Sequence, residues 1–250
     1  MKNNLAVLIP TYNEAQNIAL LLEKIKSCIS RLSLLRVVIY VIDDSSPDGT
    51  ARVVEQIKAS LETENFRIEL LHRAQKQGLG KAYIDGFKTL LAQPDRPDYV
   101  LQMDADLSHH PESIPAFVEA MRAGADLVVG SRYIPGGSCP EWKWYRRALS
   151  VGGNRYARFV LGATVSDYTG GFNLFSTNLL QKLDFSKLDH SGYGFLIHLK
   201  YEASQLASKV TQVPIQFLDR EHGVSKMPLN TIWRNFLMVL AIKLKSSRRS

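Results

Sequence analysis

The chain has 250 residues, 45% of them hydrophobic and 22% charged, which is typical of one soluble globular domain or of one domain with an appendage. Its two cysteines, Cys28 and Cys139, exclude a disulfide-stapled fold and favour a reducing compartment, and no apolar run reaches the roughly 18 residues that a membrane-spanning helix needs. The net charge of +7 favours anionic partners such as nucleotides, phospholipid surfaces or nucleic acid, and the first residues predict a strand rather than a signal peptide.

Short apolar runs alternate with helical patterns along the chain. The apolar runs are continuous rather than alternating, which is typical of a parallel sheet with helices on both faces. We therefore predict an α/β fold with a Rossmann-like, mostly parallel central sheet. Strands are expected at about 5–10, 37–42, 68–72, 99–103, 126–132 and 209–215, and helices at about 14–30, around 53–57, and at 82–92 and 112–123.

Polar residues stand where the predicted strands end. Ligands of open α/β sheets bind beyond the carboxyl ends of the strands, so we expect a ligand site at this edge. Turn-forming chemistry would explain any one of these residues, but two acid pairs after two strands favour a function. The residues are Tyr12, Asn13, Glu14, Asp43, Asp44, Asp104, Asp106, Ser131 and Arg132.

The acid pair Asp104 and Asp106 follows the strand at 99–103. Residues i and i+2 of an extended chain point the same way, so both carboxylates can face one ligand. Neighbouring carboxylates repel each other unless a cation lies between them, and Mg²⁺ or Mn²⁺ held together with substrate phosphates would relieve the repulsion. The alternative is that Asp106 or Ser108 merely caps a helix that begins near Pro111.

Two common nucleotide-binding signatures are missing. No G-x-G-x-x-G follows the first strand, and no G-x-x-x-x-G-K-[ST] occurs in the chain. The segment Gly78-Leu79-Gly80-Lys81 is only superficially similar to a phosphate loop, because it lacks the Ser or Thr. These observations argue against a Rossmann dehydrogenase and a P-loop NTPase.

The second half of the chain is richer in basic and aromatic residues. Residues 141–161 form a basic-aromatic block, 167–172 form a tight turn with two glycines, and 217–226 form a polar loop. Residues 229–245 have an amphipathic pattern with a basic end. This pattern suits a helix at a membrane interface, and a helix packed on the core is the alternative.

Six motifs occur in a characteristic order: Pro10-Thr11-Tyr12-Asn13-Glu14, residues 43–50, Gly78-Leu79-Gly80-Lys81-Ala82, residues 103–111, Gly130-Ser131-Arg132-Tyr133, and Asp219-Arg220 through Lys226. Together they resemble family 2 glycosyltransferases of the dolichyl-phosphate (polyprenyl-phosphate) mannose synthase group. The amphipathic pattern predicts an interfacial helix and basic tail at 228–250, and the resemblance implies a GT-A glycosyltransferase fold over residues 1–227. It also implies GDP-mannose as donor, a polyprenyl (dolichyl) phosphate acceptor and Mg²⁺ or Mn²⁺ as cofactor.

The resemblance implies the site residues by motif position. Asp104, Asp106 and Arg132 would be catalytic, and Asp106 and Ser108 would hold the metal. Arg146, or Arg147 beside it, and Ser150 would hold the acceptor phosphate. The substrate-binding set is Pro10, Tyr12, Glu14, Ile42, Asp44, Asp104, Ala105, Asp106, Arg132, Arg146, Ser150, Arg220 and Lys226.

The implied reaction is an inverting transfer of mannose to a polyprenyl phosphate. The acceptor phosphate is already a nucleophile, so no general base is required, and His109 and His110 are expected to be structural. One alternative is a family 2 transferase that uses a UDP-sugar (glucose or N-acetylglucosamine) with a polyprenyl-phosphate or glycan acceptor. The other is a non-catalytic nucleic-acid-binding protein, against which the strand-end acids argue, because they would repel phosphates in the absence of a metal.

The lipid acceptor and the basic tail predict where the protein works. We expect a cytoplasmic protein bound peripherally to the cytoplasmic face of a membrane, with no nucleic acid as partner. The membrane surface itself would attract the basic and aromatic residues. Attachment through a partner membrane protein is an equal alternative.

Overall fold

The computed structural model describes residues 3–32, 35–162, 165–188, 192–219 and 236–244. Within residues 3–219, seven strands and seven α-helices are defined, with two short 3₁₀ turns at Pro111–Ser113 and Phe185–Lys187, and residues 236–244 form a further helical segment. In chain order they are β1 Asn3–Thr11, α1 Ile18–Ile29, β2 Leu35–Asp43, α2 Thr50–Leu61, β3 Phe66–His72, α3 Leu79–Ala92, β4 Tyr99–Gln102, α4 Ile114–Arg122, β5 Leu127–Ser131, α5 Trp144–Leu161, β6 Asn173–Ser176, α6 Thr177–Lys182, α7 Tyr193–Leu206 and β7 Val210–Pro214.

The strands form a single mostly parallel sheet. Its order is β3-β2-β1-β4-β6-β5-β7, and β6 is the strand that runs antiparallel to both of its neighbours. The predicted α/β fold is therefore confirmed, and each strand predicted from an apolar run is present. β6 was not predicted.

Helices cover the sheet on both faces, as expected from the continuous apolar runs. On β1, Leu5, Val7 and Ile9 pack into a core formed with α1, α2 and α4. Ala6 and Leu8 point the other way, into a second core formed with α3, α5, α6 and α7. This alternation follows from the two-residue period of a strand.

The reversed direction of β6 determines what lies at the ligand-binding edge. Gln102, the last residue of β4, pairs with Asn173, the first residue of β6. The side chains are also joined, because Asn173 Nδ2 donates to Gln102 Oε1 at 3.0 Å. The turn that enters β6, residues 167–172, therefore lies beside the acids that leave β4.

Residues 236–244 are helical and pack against the second core. Val239 and Ile242 are buried there, and the Phe236 ring stacks on Tyr156 of α5 with ring centroids 4.0 Å apart. Leu237 and Leu244 are exposed. Within the described ranges, no helix is both long and apolar enough to cross a membrane.

Candidate active site

The acid pair lies in a tight turn that follows β4. Asp106 Oδ1 accepts hydrogen bonds from the Ser108 amide at 3.1 Å and from the Ser108 hydroxyl at 2.6 Å. Leu107 between them has a φ of 64°, in the left-handed region that an L-residue adopts only where the surroundings require it. The bend at Leu107 thus allows the amide and the hydroxyl of Ser108 to fix the Asp106 carboxylate.

His109 supports the same turn from the inside. Its Nδ1 accepts a hydrogen bond from the Asp104 amide at 3.0 Å, and its ring stacks on Phe172 with centroids 5.0 Å apart. Burial lowers the pKa of His109, so the imidazole is neutral at pH 7. These contacts agree with the structural role that was expected for this histidine.

Arg132 follows β5 and forms a buried ion pair that the sequence did not reveal. Its Nε and Nη2 donate to the two carboxylate oxygens of Asp167 at 2.7 and 2.8 Å, and Nη2 also donates to Thr169 Oγ1 at 2.7 Å. Burial alone would raise the pKa of Asp167, but the charge of Arg132 outweighs burial and holds that pKa well below its usual range. The arginine predicted to face the donor is therefore fixed by a charged partner.

Lys200 of α7 is a second buried cation that the sequence did not reveal. Its ammonium donates to the main-chain oxygens of Asp167 at 2.7 Å and Gly170 at 2.6 Å. Burial lowers the pKa of Lys200 to about 7, while the charge of Asp167 opposes this shift. A lysine within the apolar pattern around Leu196 and Leu199 was the available signal.

The turn at 167–171 touches the acid pair directly. A Cβ on Gly171 would lie 3.2 Å from both carboxylate oxygens of Asp104, so a side chain at this position would require a shift of a few tenths of an ångström. From the side of α3, the Tyr83 hydroxyl donates to the Met103 oxygen at 3.0 Å. Asp104 thus has the turn entering β6 on one side and follows a residue, Met103, that is hydrogen-bonded to α3.

The second acid pair, Asp43 and Asp44, is engaged by protein groups. Asp43 Oδ1 accepts from Thr11 Oγ1 at 3.0 Å and from the Ser46 hydroxyl at 2.6 Å. Asp44 is bound by the Arg73 guanidinium and by the Gln77 amide, the latter at 3.3 Å. In this structure these carboxylates fix the loops that surround the edge of the sheet.

Other residues of the predicted nucleotide pocket lie at the ends of β1 and β2. Tyr12 is exposed, and Lys76 Nζ lies 3.5 Å from the centre of its ring. Glu14 accepts from Asn17 Nδ2 at 2.8 Å. Pro10 is partly exposed and pairs in register with Ile42. The side chains of Ile42 and of Ala105, in the acid turn, are buried in the core.

The predicted acceptor residues lie on α5. Arg146 donates to Asp219 at 2.8 Å and covers the Trp142 ring, with its guanidinium carbon 4.1 Å from the ring centre. Ser150 forms a 2.6 Å hydrogen bond with the Tyr133 hydroxyl, next to Arg132 in the chain. Arg220 and Lys226 lie outside the residues that the structure describes.

The described site offers two aspartates and a serine for a cation. No cluster of three or more histidine, cysteine or acidic side chains suited to a metal occurs among the described residues. Two carboxylates with substrate oxygens and water would suit Mg²⁺ or Mn²⁺, which bind only one or two protein carboxylates in many phosphate sites.

Comparison with known proteins identifies the family. The model described as "Glycosyl transferase family 2" matches residues 6–184. Over 223 residues, the chain is 40% identical to a polyprenol monophosphomannose synthase of Mycolicibacterium smegmatis, covering 88% of this chain and 80% of the relative. It is 38% identical over 220 residues to an undecaprenyl-phosphate mannosyltransferase of Micrococcus luteus, covering 88% and 86%.

Solved structures agree on the fold. A mannosyltransferase from Pyrobaculum calidifontis, in complex with GDP-Man and Mn²⁺, superposes with a TM-score of 0.63 at 18% identity, covering 100% of this chain and 65% of that one. Glucosyl-3-phosphoglycerate synthase from Mycobacterium tuberculosis, in complex with Mn²⁺, UDP and glucosyl-3-phosphoglycerate, gives 0.61 at 24% identity, covering 97% and 79%. With this GT-A-like sheet and a family match over most of its length, the chain belongs to glycosyltransferase family 2.

Proposed function

We propose that the protein is an inverting mannosyltransferase that moves mannose from GDP-mannose to a polyprenyl phosphate. The observation that carries this proposal is the 40% identity, over 88% of the chain, to a polyprenol monophosphomannose synthase. The second relative, an undecaprenyl-phosphate mannosyltransferase, has an acceptor of the same chemistry. The buried arginine and the acid pair at one sheet edge are suited to a charged diphosphate donor.

The acid pair fits a hard divalent cation. Carboxylate oxygens are preferred ligands of Mg²⁺ and Mn²⁺, and Asp106 would be the direct ligand with Asp104 nearby. Ser108 already donates to Asp106, yet its hydroxyl oxygen retains lone pairs that can face a cation. When bound, the ion would neutralise charge on the donor diphosphate.

Arg132 would present the free end of its guanidinium to the donor. Among the described residues, Asp167 and Thr169 accept three of its five N–H groups, and the two on Nη1 would be used by a phosphate or sugar oxygen. Because the ion pair fixes the guanidinium plane, little side-chain entropy is lost when the donor binds. Arg220 and Lys226 would add further positive charge to the donor side.

Arg146 would hold the acceptor phosphate. In this structure its guanidinium binds the carboxylate of Asp219, and a phosphate monoester would present similar oxyanion geometry with more charge. Such a phosphate carries about −1.5 to −2 charges at neutral pH, so it can attack the sugar without a general base. A single displacement from the face opposite the leaving diphosphate gives inversion.

A membrane surface would supply this acceptor, and we propose that α5 and the helical segment 236–244 face it from the cytoplasmic side. Residues 228–235 and 245–250 of the expected interfacial segment lie outside the residues that the structure describes. Trp144 and Phe159 of α5 are 81% and 88% exposed, and Leu237 and Leu244 are exposed on the neighbouring helical segment. Arg147, Arg155 and Arg158 also lie on α5. Exposed aromatic and basic side chains together suit the headgroup region of an anionic bilayer.

The decisive experiment is transfer of radiolabelled mannose from GDP-mannose to a short polyprenyl phosphate, with Mg²⁺ or Mn²⁺ and with EDTA. We expect label in the organic phase only when the metal is present. Binding of GDP-mannose without transfer would contradict the acceptor, and binding of UDP-sugars in its place would contradict the donor.

Membrane binding is tested separately by flotation with anionic vesicles. We expect the double substitution Trp144→Ser and Phe159→Ser to reduce the bound fraction several-fold. The matched control is Leu20→Ser, which removes an exposed apolar side chain from α1 on the opposite face of the sheet. Equal binding of all three proteins would contradict the proposed surface.

A further inference from the structure

Lys200 is completely buried, although the proposed transfer gives it no role. Its ammonium lies beneath the site and is hydrogen-bonded to the carbonyl oxygens of Asp167 and Gly170, at 2.7 and 2.6 Å. Burying an ammonium group is costly unless its hydrogen bonds are satisfied by the protein. Apolar residues of α7 would pack the same space at lower cost, so the lysine points to a specific purpose.

The two carbonyl groups belong to the turn at 167–171, which joins the donor side of the site. At one end of the turn, the Asp167 carboxylate fixes the Arg132 guanidinium through two hydrogen bonds. At the other end, Gly171 lies against the carboxylate of Asp104. A shift of this turn would therefore move the guanidinium of Arg132 and change the contact between Gly171 and Asp104.

The same turn is also attached to α5, the proposed acceptor helix. Asn154 Oδ1 accepts from the Tyr168 amide at 2.7 Å, and Asn154 Nδ2 donates to Thr169 Oγ1 at 3.2 Å. Asn154 also donates to the main-chain oxygen of Ser150 at 2.9 Å. The turn thus lies between the donor side and the acceptor side, and Lys200 holds it from below.

We propose that Lys200 is a positioning residue for the transfer reaction, which holds the 167–171 turn so that Arg132 and Asp104 keep the geometry needed for the metal–diphosphate group. This inference rests on the proposed function. Rate depends steeply on such placement, since a misplacement of about 1 Å can reduce a rate by about a hundredfold. Lys200 itself touches no substrate.

The chemistry of the ammonium group agrees with a positioning role. Burial lowers the pKa of Lys200 to about 7, with Asp167 and Asp104 opposing the shift and Arg132 adding to it. A neutral amine still carries two N–H groups, as many as the two carbonyl bonds require. Both hydrogen bonds can therefore persist in either protonation state.

The test compares Lys200→Met and Lys200→Gln with wild-type protein and with Lys209→Met. Lys209 also donates to a main-chain oxygen, that of Ala123 at 2.6 Å, but it lies outside the site network. Binding of Mn²⁺ with GDP, and with UDP in parallel, is measured by calorimetry. The kcat and the KM for polyprenyl phosphate are measured in the transfer assay, and folding is checked by circular dichroism.

We expect Lys200→Met to weaken Mn²⁺–GDP binding by about tenfold or more and to lower kcat, with the KM for polyprenyl phosphate changed less than about threefold. Lys200→Gln retains N–H donors and should restore part of the loss, and Lys209→Met should match wild type. If Lys200→Met does not fold, Lys200→Gln decides alone, and nucleotide binding weakened threefold or more supports the proposal.

Three results overturn this inference. The first is nucleotide binding and kcat within twofold of wild type in folded Lys200→Met, or in Lys200→Gln where Lys200→Met does not fold. The second is loss of folding in both Lys200 variants, which would assign the residue to the stability of the whole domain. If wild-type protein binds neither Mn²⁺–GDP nor Mn²⁺–UDP, the proposed function fails and this inference fails with it.

Discussion

Replacing Asp167 with asparagine tests whether the buried charge pair holds the site. The two side chains have the same shape, so packing changes little, but the new amide NH₂ meets the N–H donors of Arg132 and the guanidinium loses its counter-charge. Both partners are buried, with Arg132 Nε only 2.7 Å from the carboxylate. Removing one charge of a buried pair costs about 3–5 kcal/mol, because the other is left uncompensated.

The assay for Asp167→Asn is urea unfolding followed by circular dichroism. At about 2–4 °C per kcal/mol for a chain of this size, the same loss lowers Tm by roughly 6–20 °C. The matched control is Asp95→Asn, whose partner Arg36 lies 3.9 Å away at the surface, and whose effect should stay within about 0.5 kcal/mol. A loss below about 1 kcal/mol for Asp167→Asn would refute the reasoning, since surface pairs already reach that value.

Three further predictions follow from the same region. Gly171→Ala places a methyl group 3.2 Å from the oxygens of Asp104, so metal-dependent transfer should fall at least tenfold while the urea midpoint changes little, and unchanged transfer would contradict the close packing. Tyr83→Phe removes the hydroxyl that donates to the buried Met103 oxygen, so the free energy of unfolding should drop by about 1–3 kcal/mol. Equal urea midpoints for the variant and the wild-type protein would count against that hydrogen bond. The lysine at position 200 keeps its proton up to about pH 10.4 in the unfolded chain but releases it near pH 7 in the folded chain. The free energy of unfolding of the wild-type protein should therefore rise by roughly 2 kcal/mol between pH 7 and 9. Lys200→Met should lack this rise, and parallel pH profiles of the two proteins would contradict the lowered pKa.

The parallel part of the sheet could be predicted because burial on both faces leaves a continuous apolar run in the sequence. β6 could not be predicted in this way. It has only four residues, Asn173–Ser176, and begins and ends with polar side chains. Its direction is set by pairing with distant strands, such as that of Gln102 with Asn173 across about seventy residues, and no local pattern records such a pairing.

The acid turn after β4 was predicted because its chemistry is local, with Asp104, Asp106 and Ser108 close in sequence. Asp44 shows the limit of that reasoning. Its ion pair with Arg73 spans 29 residues, and only the fold reveals it. Lys200 was missed for the same reason, because its partners Asp167 and Gly170 are main-chain oxygens at least 30 residues away.

The reversed strand also determines when the site can exist during synthesis. β4 and β5 are not neighbours in the sheet, because β6 fills the place between them. A nascent chain that has emerged only as far as α5 carries the acid pair and Arg132, but lacks Asp167, the glycine turn and Lys200. The residues that would face a nucleotide are then present without the groups that hold them. We therefore expect donor binding to require a chain completed through α7, because Asp167 and Lys200 are then in place to hold Arg132 and the glycine turn.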